Sequence, residues 1–199
     1  MSSSPEADAT KQTEMKQILP IRIISKIVPG FGRGSKDLGI PTANLSSSSE
    51  DLQCKITFES LPTGIYYGFA RLEPSPTNSL NEVYKAAISI GYNPCYNNEH
   101  KTIEPHLIAS PDDPLRISSA CEETLFHDLY NETMRVSIVE YLRPELPFEG
   151  LDRLTLAIKG DIVKTEELCD GEGEVLVGER CWVESSSDAV FNCYACGFG

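Results

Sequence analysis

Basic residues are scarce in this chain. Its 199 residues carry 17 Lys plus Arg against 30 Asp plus Glu, a formal net charge of −13. Affinity for a phosphate backbone or an anionic lipid surface comes from Lys and Arg that displace counterions, so the deficit argues against nucleic acid and membranes as partners. Long apolar runs are missing too, and with them any stretch suited to crossing a bilayer as a helix. The opening MSSSPEADATKQTEMKQ holds neither a basic n-region nor an apolar core, which reads as no secretory or transit signal and as a cytoplasmic setting. There is no internal repeat, and only Ser46 to Ser49 is low in complexity.

The composition that remains is that of an ordinary globular protein, 40% apolar and 24% charged with 14 Gly and 13 Pro. At 21.9 kDa the length suits one core, burying roughly 70% of the unfolded surface, in a soluble monomer. Seven scattered cysteines (Cys54, Cys95, Cys121, Cys169, Cys181, Cys193 and Cys196) are an odd number in a chain read as cytoplasmic, and so are read as free thiols.

Several stretches have the pattern of strands. Ile21 to Val28 is β-branched between prolines, Gly64 to Leu72 is aromatic-rich, and Val83 to Gly91 puts Tyr84, Ala86, Ile88 and Ile90 on one side. Met134, Val136 and Ile138 alternate with polar residues in the same way. The period then changes: Leu151, Leu154, Ile158 and Ile162 form the stripe of one amphipathic helix. Strands first and one long helix last argue for an antiparallel barrel or sandwich with a helix packed on it. Residues 1–17 read as a flexible extension, and residues 170–199 as a flexible, acidic, cysteine-containing tail that the barrel domain, 18–169, does not need. Trp182 and Phe191 are the tail residues suited to docking. Its Cys193-Tyr194-Ala195-Cys196 has no second knuckle to complete a zinc site.

Three stretches carry groups with chemical potential. Gly30-Phe31-Gly32-Arg33-Gly34-Ser35-Lys36 could turn backbone N–H groups and two cations toward a polyphosphate, or be a plain turn. It has neither the spacing of a Walker loop nor a Rossmann helix after it. Thr42 and Asn44, two apart, would point the same way from an extended segment and offer the neutral oxygens a hard cation accepts, or else stabilise a turn. Along Lys101 to Ile108, Thr102, Glu104 and His106 would share one strand face opposite Ile103 and Leu107, as a solvated face or as a carboxylate placed to act as general base. Pro105 lacks a backbone donor and suits an edge or a bulge.

Taken together, GFGRGSKDLGIPTAN (Gly30 to Asn44), TGIYYGFA (Thr63 to Ala70), SIGYNPCY (Ser89 to Tyr96) and Tyr141-Leu142-Arg143-Pro144-Glu145 with Phe148 and Leu151-x-x-Leu154 resemble the riboflavin kinase family, from about Ile18 to Leu168. The resemblance implies a six-stranded antiparallel Greek-key barrel with a C-terminal helix, transferring a phosphoryl group from ATP to riboflavin to give FMN. It implies Mg²⁺, or Zn²⁺ or another divalent ion in its place, held by Thr42 and Asn44. Gly30 and Lys36, and further along Leu107, Ala109 and Tyr130, match nucleotide-contacting positions. Glu104 matches the catalytic base, and Arg143, Leu146 and Phe148 match positions lining the flavin site. In Phe126 to Asn131 the family's usual Gly is replaced by Asn131, the non-Gly residue that best tolerates positive φ. The alternative is a barrel that binds flavin or nucleotide without turnover.

Overall fold

The computed structural model describes residues 19–30, 42–46, 61–75, 82–92, 101–110 and 129–185. Six strands come first: β1 (Ile21–Val28), β2 (Asn44–Leu45), β3 (Gly64–Leu72), β4 (Tyr84–Gly91), β5 (Thr102–Ile108) and β6 (Thr133–Arg143). Two helices follow, α1 (Leu151–Cys169) and α2 (Glu174–Glu184). The sheet order is β2-β1-β6-β3-β4-β5, and every adjacent pair is antiparallel. A bond from Ala43 N–H to the Pro105 carbonyl, 2.9 Å, brings the two ends of that order together into a nearly closed barrel.

Alternation decides what lies inside. Tyr84, Ala86, Ile88 and Ile90 of β4 meet Met134, Val136 and Ile138 of β6 and Ile21, Ile23 and Ile27 of β1 in the interior cluster, as the sequence pattern anticipates. β3 is buried on nearly its whole length, because its outer residues Tyr67 and Phe69 are covered as well. The cover over Tyr67, Phe69 and Val139 comes from Cys169, at the end of α1, and from Trp182 and Val183 of α2. On the next stretch of outer wall, Ile162 of α1 seals Ala87 and Ile108, with Ile158 packed against them. In that surrounding the Cys169 thiol is pushed up to about 12, chiefly by burial, and it is free.

Among the described residues the barrel thus carries two helices, and Glu174–Glu184, expected as part of a flexible tail, forms the second of them. Helix α2 is bound to the barrel by charge as well as by Trp182. Glu179 is buried and accepts Nε and Nη2 of Arg22, both at 3.0 Å, and the Ser137 hydroxyl at 2.7 Å. The guanidinium groups of Arg135 and Arg22 lie 4.7 and 5.1 Å from the centre of the Trp182 ring. Buried Arg71 donates to the carbonyls of Glu184 and Ser185, capping the end of the helix. Phe191 and the Cys193/Cys196 pair lie outside the described residues.

At the turn before β6, Asn131 has φ 69° and its N–H bonds to the Ile27 carbonyl at 2.9 Å. Asn thus does the work of glycine there, as anticipated.

Candidate active site

On β5 the inward residues are Ile103, Pro105 and Leu107, and Thr102, Glu104 and His106 take the opposite, half-buried face. The Thr102 hydroxyl lies 3.1 Å from Glu104 Oε1 and 3.2 Å from the Gly91 carbonyl. Burial raises the Glu104 carboxyl above its usual range, and the Thr102 hydrogen bond pulls it partway back. A carboxylate of raised basicity is better matched to accepting a proton near neutral pH.

Pro105 marks the seam of the barrel. Antiparallel strand residues send N–H and C=O to the same side, so the Pro105 carbonyl that accepts from Ala43 shows that its missing donor also faces β2, away from the β4 ladder. Proline is tolerated there as on an edge strand. The same bond sets a register in which Asn44 faces Glu104 and Thr42 faces His106. Ala43 and Leu45 pack into the interior, which puts Thr42 and Asn44 on the outer face with Glu104. Gly30 runs beside this pair: a Cβ on it would lie 2.9 Å from Asn44 Cγ. Two neutral oxygens next to a cradle that a methyl group would fill match a hard cation that keeps most of its ligands as water and phosphate. Among the described residues no group of three or more His, Cys, Asp or Glu is placed to hold a metal ion.

The segment after β6 forms the other border. Arg143 reaches α1, donating from Nε to Asp161 Oδ1 at 2.7 Å and from Nη2 to Oδ2 at 2.6 Å, and from Nη1 to the Pro144 carbonyl at 2.9 Å. Its guanidinium stands 5.8 Å from the centre of the Phe148 ring, and Leu146 is exposed beside them in sequence. Glu145 folds against β4, where a Cβ on Gly91 would lie 3.0 Å from its Cδ. Burial and the neighbouring Glu104 charge raise the Glu145 carboxyl, with Arg143 opposing them. Gly91 pairs with Thr102 across the β4–β5 ladder, so both carboxylates border one patch of wall.

The structure thus brings Gly30, Thr42, Asn44 and Glu104 together, with Arg143 and Phe148 bordering the Glu145 side of the same wall. Tyr130 is exposed in the turn bonded to Ile27, toward the Gly30 end of β1. Leu107 points into the interior cluster and Ala109 is buried, which leaves their backbones as the groups that could meet a ligand. Lys36 lies outside the described residues. Two acids had no assigned role from sequence. Glu145 stood inside a recognised motif, and Asp161 could have been found as an acid next to Ile162 on the buried side of the helix.

An antiparallel barrel that sets a neutral amide across from a half-buried carboxylate, with a hydroxyl two residues away, offers parts that a phosphotransferase acting on an alcohol uses. A family model described as Flavokinase: Riboflavin kinase matches residues 18–169. The chain belongs to the riboflavin kinase family. Mouse riboflavin kinase is 39% identical over 175 residues, covering 87% of this chain and 97% of that protein. The human riboflavin kinase is 35% identical with the same coverage. The mouse match takes in more of the chain than residues 18–169, so similarity continues outside the barrel and α1. The crystal structure of riboflavin kinase from Trypanosoma brucei shares the fold, with TM-score 0.56 at 21% identity over 86% of this chain and 93% of that one. No helix among the described residues is long and apolar enough to cross a membrane.

Proposed function

We propose that this chain transfers the terminal phosphoryl group of ATP to the ribityl hydroxyl of riboflavin, giving FMN and ADP, with Glu104 as general base. Family membership supports the reaction. The observation that carries the site is the seam, where the Ala43–Pro105 bond sets Asn44 opposite Glu104. Phosphoryl transfer asks little covalent work of a protein; it needs the alcohol in line, a proton acceptor and donors for phosphate charge. Glu104 would take the hydroxyl proton, its carboxylate steadied by Thr102. Thr42 and Asn44 would hold the Mg²⁺ that, when bound, offsets charge on the ATP phosphates. Gly30, with Lys36, Leu107, Ala109 and Tyr130, would contact the nucleotide, largely through backbone. Arg143, Leu146 and Phe148 would line the flavin, the ring and the alkyl chain giving apolar walls to a planar heterocycle.

Purified chain incubated with riboflavin, ATP and Mg²⁺ should form FMN, and chelation of the metal should stop it. Flavin binding without FMN formation would instead establish a non-catalytic barrel.

A further inference from the structure

Arg143 is not a freely hinged side chain. Of the five guanidinium N–H groups, Nε–H and one on Nη2 go to Asp161, and one on Nη1 goes to the Pro144 carbonyl. One N–H remains on each Nη, two donors held in the plane that Asp161 dictates. The carboxylate is itself fixed: Asp161 is 8% exposed, and the next residue, Ile162, is fully buried against Ala87 and Ile108 of the barrel wall. Bidentate pairing of this kind sets direction as well as strength. It also neutralises the Arg143 charge, so the two remaining donors suit acceptors on a neutral heterocycle.

We propose that Asp161 is a positioning residue for riboflavin: it holds Arg143 so that its two remaining N–H groups meet acceptor atoms on the carbonyl-bearing edge of the isoalloxazine, beside the Phe148 ring. The inference rests on the reading of Arg143 as a flavin residue. Helix α1 becomes part of the flavin site through one carboxylate that does not touch the substrate. An ion pair that merely stapled α1 to β6 would have the same distances, and the two roles separate by experiment.

In the full-length chain, Asp161→Asn should raise both the riboflavin KM and the Kd from flavin fluorescence quenching about tenfold, with the ATP KM changed less than about twofold. Arg143→Lys, which keeps the charge but loses the fork, should do the same. The double variant Arg143→Leu/Asp161→Leu removes the pair without stranding a charge, so its Tm should stay near that of the parent while flavin binding remains weak. Where Asp161→Asn alone does not fold, Asp161→Glu, which keeps the charge pair but displaces the carboxylate, should raise the riboflavin KM with the ATP KM little changed, and an unchanged riboflavin KM would overturn the proposal. Parental flavin affinity in the double variant would make the pair a staple and overturn the proposal. So would an unchanged riboflavin KM in Asp161→Asn when Arg143→Lys raises it, and the assignment of Arg143 to the flavin would then survive. Unchanged flavin affinity in Arg143→Lys removes that assignment and the proposal together, even where the parent chain makes FMN.

Discussion

Gly30 and Asn44 occupy one space: a Cβ on Gly30 would come within 2.9 Å of Asn44 Cγ and closer still to its Nδ2. The glycine is needed there for its missing side chain. The obstruction in Gly30→Ala is the tip of a side chain that can turn aside, so the barrel should fold while the amide leaves its place. The Mg²⁺ concentration giving half-maximal rate should rise roughly 10–100-fold, the usual effect of disturbing a ligand's support. An unchanged Mg²⁺ titration would detach Asn44 from the metal.

Glu104→Gln should lower kcat roughly 10²–10⁴-fold with flavin affinity little altered. Near parental turnover in this variant would remove Glu104 from the mechanism. The base must be ionised to act, and burial holds its folded-state pKa above the unfolded value. Activity of the parent should therefore fall, as pH is lowered, along a limb lying above the ordinary carboxylate range. Stability runs the other way. The cost of the buried charge is fully present above the folded pKa and disappears below the unfolded one. Glu104→Gln should thus be at least as stable as the parent at neutral pH, a comparison that thermal unfolding makes directly.

Removing residues 171–199 should destabilise the barrel. It would uncover Tyr67 and Phe69 and leave Arg22 and Ser137 without Glu179. Glu179→Ala alone should lower stability by roughly 3 kcal/mol, because it strands charge at a mostly buried site. A urea midpoint equal to the parent's in both would show α2 to be an appendage.

Gly68→Ala tests the barrel wall. A Cβ there would lie 3.0 Å from the Ser137 carbonyl carbon and 3.2 Å from Val139 N, where the β3–β6 register shifts. Backbone cannot swing away as a side chain can, so the strands must part, at about 3 kcal/mol. Thermal unfolding of the variant measures this, and a Tm within error of the parent's would mean the wall adapts freely.

The inner faces of β4 and β6 were legible because alternation is local: Tyr84, Ala86, Ile88 and Ile90 need no distant partner to reveal their side. The stripe of α1 was legible for the same reason, though Leu151, counted in it, is 63% exposed at the helix start. Helix α2 was hidden because its apolar residues mislead. Val175 and Val177 are exposed, and a buried position of the helical period is taken by Glu179, whose partners stand on β1 and β6. In the site, the common direction of Thr102, Glu104 and His106 followed from strand period. The confrontation of Asn44 with Glu104 did not, since it depends on one bond between Ala43 and Pro105 across the closing seam. Asp161 escaped notice because an acid on the buried side of a helix makes sense only once Arg143 is seen to reach it.

The Arg22–Glu179 pair joins residues 157 positions apart. On the ribosome, β1 emerges long before β6, its main partner, or Glu179 has been made, and β2 offers it only two paired residues. The β-branched run Ile21 to Val28 is therefore an open, adhesive strand edge for most of translation. Closing that edge waits on β6, which lies in the last third of the sequence, and on Glu179 beyond it.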